Sequence, residues 1–293
     1  MKVTDAIELL RPGQWIKNLL VGAGFAFALA DRGQEFDWRP SLASSLAATA
    51  VFCLLSGSVY AFNDARDAAA DRVHPEKRRR PVASGRVSVR EALGLGAASF
   101  AIAFALACAV GGGFALCAAA YAAMQLLYNL GLKRVPWLEI AILAAGFPLR
   151  VKAGAVAAGV PVTPWILACT MSAAALVAAG KRFAEMDLGA DAPRHRAVLS
   201  RYTLPGLRFA VNALAAATFA VYAAWSANPA TIAKFGGHVF TYTAFPVAAG
   251  IARYAWLVLR CGEGGRPERV FSRDLRLLAW IAVWAAAWVL VLR

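Results

Sequence analysis

Charged residues are scarce in this chain: they fill 16% of its 293 positions, where an ordinary globular domain carries roughly a quarter. Hydrophobic residues make up 60%, and the mean hydropathy is +0.56. That shortage of charge argues against a water-surrounded globule and makes lipid the expected surroundings. Acidic residues are scarcer still, 17 against 31 basic ones, for a net charge of +14 and a pI near 10.1. A basic balance fits either nucleic acid or the cytoplasmic loops of a membrane protein, so the placement of the cations has to decide. Paired cysteines are missing. The five present, Cys53, Cys108, Cys117, Cys169 and Cys261, form no CxxC or other metal spacing, and the first four lie in apolar runs as small packing residues do. No cleavable leader is expected either, because residues 1–10 mix polar and apolar types and the first long apolar run lacks a small-residue cleavage site ahead of a mature domain.

Apolar length is what the chain has in plenty. Nine stretches, 17–31, 41–62, 91–110, 113–132, 136–158, 163–181, 204–226, 239–259 and 275–292, approach the ~20 residues that a helix needs to cross the hydrocarbon layer. An all-α membrane protein of nine transmembrane helices, organised as a single integral membrane domain over 1–293, is the expected fold. With the N-terminus inside, 24 of the 31 Lys and Arg fall on the inner side and 4 on the outer, while Arg150, Lys152 and Arg253 lie within spans. This bias accounts for the pI without nucleic acid. It predicts a cytoplasmic N-terminus and an external C-terminus. Two inner loops, 63–90 and 181–203, are long and charged, so chemistry on a water-soluble substrate is expected at the cytoplasmic face. Tryptophans and most other aromatics read as interface anchors and packing rather than as a stacking platform. The Ala- and Gly-rich spans allow close helix approach and leave room for a lipid chain. Spans two to four and six to eight share a loop plan that hints at duplication, without a repeat at the level of residues.

The most informative segment runs Asn63-Asp64-Ala65-Arg66-Asp67-Ala68-Ala69-Ala70-Asp71, an NDxxDxxxD pattern at the inner end of the second span. On a helix Asp64, Asp67 and Asp71 stand three and four residues apart and share one face. Like charges gathered this way are costly unless a cation joins them. Mg²⁺ is commonly held by one or two carboxylates together with substrate phosphates. A solvated helix end with local Asp–Arg pairs is the plainer alternative, but the basic run that follows, from Arg72 through Lys77 and Arg80 to Gly85, favours a site with Mg²⁺ on one side of a phosphate and cations on the other. His74 reads as a structural hydrogen-bonding residue. Arg150 and Lys152, just after Pro148, either line a functional cavity or snorkel to the interface from a span whose limits lie a few residues away; both readings stay open.

The segment NDxxDxxxDRxHPxKxxRPxASG, read here with Glu76 ahead of Lys77, resembles the first Asp-rich motif of the UbiA superfamily of intramembrane prenyltransferases. Arg11-Pro12-Gly13-Gln14-Trp15-Ile16-Lys17-Asn18 is similar to the RPxQWxKN entry of that superfamily's decaprenyl-phosphate phosphoribosyltransferase branch, and Tyr128-Asn129-Leu130-Gly131-Leu132-Lys133 to its YNxxLK element. The resemblance implies nine transmembrane helices bundled around a lipid-accessible cavity. Members that use prenyl diphosphates usually carry a second Asp-rich motif between spans six and seven. Here that place reads Gly180-Lys181-Arg182-Phe183-Ala184-Glu185-Met186-Asp187, which resembles the KRxxE version of the phosphoribosyl branch.

Through this resemblance the expected reaction is transfer of 5-phosphoribose from phosphoribosyl diphosphate to a polyprenyl phosphate, releasing diphosphate. The product would be a precursor of lipid-linked arabinose donors in cell wall biosynthesis. Asn63, Asp64, Asp67 and Asp71 are assigned to Mg²⁺ and the departing diphosphate. Arg72, Lys77 and Arg80 are assigned to the donor's phosphates. Gln14, Lys17, Tyr128, Lys133, Lys181 and Arg182 are the remaining substrate-binding candidates, with the four cations expected to converge on the lipid phosphate or the 5-phosphate. Asp64, Asp67, Lys181 and Glu185 form the catalytic set, Glu185 holding ribose hydroxyls or a second ion. Expected partners are the two substrates and membrane lipid, not nucleic acid, and a homo-oligomer is left open. The location is the cell membrane, with the active site facing the cytoplasm. Two rivals remain: a UbiA-type enzyme that prenylates an aromatic or other lipid acceptor from a prenyl diphosphate, which the missing second Asp cluster opposes, and a transporter, for which midplane ion sites in matched halves would be needed.

Overall fold

The computed structural model describes residues 1–29, 37–73, 77–187 and 197–292. Its regular elements are helical: α1 (Val3–Leu10), a 3₁₀ segment (Pro12–Gly22), α2 (Ala23–Leu29), α3 (Trp38–Arg72), α4 (Val89–Val110), α5 (Gly112–Leu130), α6 (Leu138–Ala158), α7 (Pro164–Asp187), α8 (Leu204–Ser226), α9 (Pro229–Lys234), α10 (Val239–Tyr242), α11 (Ala244–Cys261), α12 (Pro267–Arg273) and α13 (Leu275–Leu292), with short 3₁₀ turns between some of them.

Among the described residues seven helices are long and apolar enough to cross a membrane, and Leu275–Leu290 is a shorter apolar helix. The expected first span, 17–31, departs most from expectation. Gly22 and Gly24 weaken a regular helix there, and the chain forms the 3₁₀ segment followed by a seven-residue helix. Residues 30–36 lie outside the described part. Nine is therefore an approximate count.

The second expected span extends further than its apolar run. From Ser58 to His74 there is no Gly or Pro, and α3 continues for 35 residues to Arg72. At 1.5 Å per residue it spans roughly 52 Å, against ~30 Å of hydrocarbon, so one end must project, and the charged end carries Asn63 to Asp71. That segment, expected to open a loop, is regular helix. Side chains fix the helix starts: Asp37 caps α3, Thr203 caps α8, and Ser88 with Glu91 forms a reciprocal capping box on α4.

The described residues divide into two compact units, the first comprising 1–29, 37–73, 77–131 and 149–162 and the second 132–148, 163–187 and 197–292. In the first, α3 packs on α4 and on the 3₁₀ segment, around Val51, Phe52, Leu55, Phe114 and Tyr121. A satellite cluster of Leu9, Ala61, Ala65, Ala68, Val82 and Val87 holds α1 and the segment after Arg80 against the charged end of α3. Backbone approach is closest at Gly154, where an added Cβ would stand 1.6 Å from the Val21 carbonyl oxygen. Gly154→Ala is therefore expected to lower stability by about 3 kcal/mol, since backbone cannot yield as a side-chain tip can. A thermal melt in detergent measures this, with Gly94→Ala, which meets nothing within 4 Å, as the control.

In the second unit α7 packs on α8, and the core gathers Phe183, Leu199, Tyr202, Leu207, Tyr254 and Val258. Gly264 lies against the Gly180 carbonyl, 2.4 Å from where a Cβ would be. The aromatic residues expected as anchors and packing include a group in which Trp225 stacks on Trp288 at 6.3 Å and Phe240 meets Trp288 at 4.5 Å.

Candidate active site

The first unit builds its site on the last three turns of α3. Asp64 and Asp71 are both buried. Arg80 joins them, Nη1 donating to Asp64 Oδ1 at 3.2 Å and to Asp71 Oδ2 at 2.7 Å. Arg11 completes the group from the end of α1. Its backbone is left-handed (φ 52°), its guanidinium lies 4.8 Å from the Tyr60 ring centroid, and Nη2 donates to Asp64 Oδ1 at 2.5 Å. The second oxygen of Asp64, Oδ2, is buried without a hydrogen-bond partner. Native proteins seldom leave such an oxygen unmet.

Asn63 and Asp67 are half-buried on the same helix. Among the described residues no group of three or more His, Cys, Asp or Glu could hold a metal ion unaided. A Mg²⁺ that takes one or two carboxylates and fills its shell with water and phosphate oxygens needs no such group, and the unmet Asp64 oxygen is the donor it would use. The residues present fit the ion.

Arg80, expected from sequence to meet the donor's phosphates, lies between two carboxylates and bridges them. Arg72 is exposed at the end of α3, and Lys77 is half-buried at the start of a 3₁₀ turn. His74 lies outside the described residues. Gln14 accepts from Lys17 Nζ at 2.7 Å, and Tyr128 is buried. Arg66, an unassigned member of the motif, donates to the Asn129 carbonyl at 2.6 Å and thereby ties α3 to the YNxxLK element. Arg86 holds α1 through Asp5 at 2.6 Å and Glu8 at 2.7 Å. These two ties had no signal in the sequence beyond their charge.

Arg150 is buried, donating from Nε to Asn18 Oδ1 at 2.9 Å and from Nη2 to the Tyr121 hydroxyl at 2.7 Å. Asn18 in turn donates to Ser56 Oγ at 3.2 Å. Of the two readings for this pair of cations, Arg150 follows the interior one, and Lys152 is exposed.

In the second unit the sequence suggested Arg182 as a cation for the lipid phosphate or the 5-phosphate. The fork is occupied. Arg182, 2% exposed, donates from Nε and Nη2 to the two oxygens of Glu139 at 2.5 and 2.9 Å, and from Nη1 to Glu185 Oε2 at 2.6 Å. Glu139, absent from the sequence-derived set, is fully buried and also meets the Tyr202 hydroxyl at 3.4 Å. Burial first, and Glu139 nearby, push the Tyr202 phenol up to about 12, so it stays protonated and able to donate. The same hydroxyl accepts from the Trp137 amide at 2.8 Å, where Trp137 adopts a left-handed φ of 65°. Glu185, the expected catalytic carboxylate, is thus held from the Arg182 side and remains partly exposed. Lys133 and Lys181 are half-buried in this unit, whereas Lys17 belongs to the first.

Residues 19–280 match the family described as the UbiA prenyltransferase family. The chain is 36% identical over 296 residues to a decaprenyl-phosphate phosphoribosyltransferase of Mycolicibacterium smegmatis, covering 97% of this chain and 92% of that one. It is 37% identical over 282 residues to the Corynebacterium glutamicum protein of the same name, covering 94% and 84%. Among solved structures, a UbiA homolog from Archaeoglobus fulgidus bound to GPP and Mg²⁺ superposes with a TM-score of 0.72 at 19% identity over 98% of this chain and 99% of that one. At that identity the likeness is one of fold.

Proposed function

The chain belongs to the UbiA prenyltransferase family, and from that premise we propose that it is a membrane-embedded phosphoribosyltransferase that moves 5-phosphoribose from phosphoribosyl diphosphate to a polyprenyl phosphate. The observation that carries this reading is the 36–37% identity, over nearly the whole chain, to proteins named decaprenyl-phosphate phosphoribosyltransferase. The KRxxE segment supports the same branch: its glutamate is bound by Arg182, so that position does not offer an open carboxylate cluster.

In the proposed reaction an oxygen of the lipid phosphate forms a bond to the ribose anomeric carbon as the bond from that carbon to diphosphate breaks. A phosphate monoester is already an anion near neutral pH, so the protein's work is positioning and charge stabilisation rather than strong base catalysis. Asp64, with Asn63, Asp67 and Asp71, would hold Mg²⁺, which neutralises charge on the departing diphosphate. Arg11 and Arg80 fix Asp64 so that its Oδ2 stays presented. Arg72, at the end of α3, and Lys77, at the start of the 3₁₀ turn that follows, would receive donor phosphates, and Glu185 would accept from ribose hydroxyls.

Purified protein in detergent with Mg²⁺, labelled phosphoribosyl diphosphate and a polyprenyl phosphate is expected to give a labelled lipid. Consumption of a prenyl diphosphate instead would replace this reading with the aromatic prenyltransferase one. The chain is a multi-pass membrane protein. For its orientation we propose a cytoplasmic N-terminus and active site in the cell membrane, supported by the basic loop bias. Cysteines engineered at Ser88 and Asn228 are expected to react with an impermeant reagent from opposite sides; labelling from one side refutes the topology.

A further inference from the structure

A groove of about 550 Å³ runs between α8 and α11 in the second unit, and none of its lining residues belongs to the carboxylate and arginine clusters described above. Its walls take every third or fourth residue from Arg208 to Phe219 on one helix and from Ala248 to Arg260 on the other, so a single face of each helix contributes. Small residues line it, Ala255 buried and Ala215 half-buried beneath the exposed Ala216 and Ala252, and Trp256, 48% exposed, forms a rim. Arg208 lies near the start of α8 and Arg260 near the end of α11, and both reach the same groove with Asn212 beside them. Among the described residues neither arginine pairs with a carboxylate, and the Arg208 guanidinium lies 5.8 Å from the Phe183 ring centroid.

Two exposed arginines at one end of an otherwise apolar, membrane-embedded groove complement an amphiphile with an anionic head and a hydrocarbon tail. Length narrows the choice. From Arg208 to Phe219 the groove runs roughly 17 Å at 1.5 Å per residue, about half of a ~30 Å hydrocarbon layer, which is the depth of one leaflet. The cationic end is also the end that the basic loops assign to the cytoplasm. We propose that this groove is a binding site for an anionic glycerophospholipid of that leaflet, with Arg208 and Arg260 on its phosphate and one acyl chain against the alanines of α8 and α11. The site stands independently of the reaction assigned to the enzyme.

Native mass spectrometry of the full chain released from nanodiscs containing phosphatidylglycerol and phosphatidylcholine tests the proposal. Wild type is expected to retain phosphatidylglycerol selectively. Arg208→Ala with Arg260→Ala is expected to weaken that retention by about 30-fold, the product of two cations near a lipid surface. Ala252→Trp, which fills the groove without touching charge, should abolish it, and Arg208→Lys with Arg260→Lys should preserve the selectivity for anionic lipid if the alanine variant proves unstable. Equal retention of both lipids overturns the proposal, as does unchanged retention in the variants. Displacement of phosphatidylglycerol by stoichiometric polyprenyl phosphate would also overturn it by assigning the groove to that lipid. So would a lipid-free oligomer that Ala252→Trp dissociates, since the groove would then be an interface between copies.

Discussion

Asp64→Asn is expected to lower turnover by roughly 10²-fold or more, the scale seen when one group stabilising developing charge is removed. The substitution keeps the side chain's shape. Its oxygen can still accept from Arg11 and Arg80, so α1 and the segment around Arg80 stay docked and the melting temperature should move little. What changes is the buried Oδ2, now an amide nitrogen that cannot ligate a cation. Asp67→Asn should act in the same direction, and excess chelator should abolish wild-type turnover. Mn²⁺ binding followed by electron paramagnetic resonance gives a readout apart from turnover: the Asp64 variant should lose the bound signal. Full activity of both variants in excess chelator would remove the metal assignment.

The spacing of Asp64, Asp67 and Asp71 was legible because helical periodicity is a local property, and α3 carries it without a break through Arg72. The long apolar runs were legible for the same reason. What lay outside sequence reasoning is set by partners distant in the chain. Arg80 carries the same formal charge whether it meets a phosphate or bridges two carboxylates nine and sixteen residues earlier, and only the geometry separates the two. Glu139 stands at the start of an apolar helix and looks like a solvated end, yet it is fully buried because Arg182, 43 residues on, covers it. The first expected span departs from a regular helix for a local reason that was visible: Gly22 and Gly24 weaken helix there, whereas hydropathy counts only the apolar side chains around them.

Lys181 and Arg182 are neighbours in sequence, and the structure predicts opposite consequences for losing them. Arg182→Ala leaves the fully buried Glu139 carboxylate without its bidentate partner, and breaking a buried pair from one side costs about 3–5 kcal/mol. Arg182→Lys should lose much of the same stability, because an ammonium cannot reproduce a fork that serves Glu139 with two nitrogens and Glu185 with a third. Removing both charges, as in Arg182→Met with Glu139→Leu, should recover most of the stability, since apolar replacements of a buried pair are often neutral. Activity should not return with it, because Glu185 would still lack the guanidinium that holds it. Lys181 is half-buried at the same helix end. Lys181→Ala should leave the melting temperature near wild type while kcat/KM for phosphoribosyl diphosphate falls. Melting curves and donor titrations at saturating polyprenyl phosphate measure both sides. An Arg182→Ala protein as stable as wild type would show that Glu139 does not depend on the pair. Wild-type kinetics in Lys181→Ala would remove that lysine from the donor site.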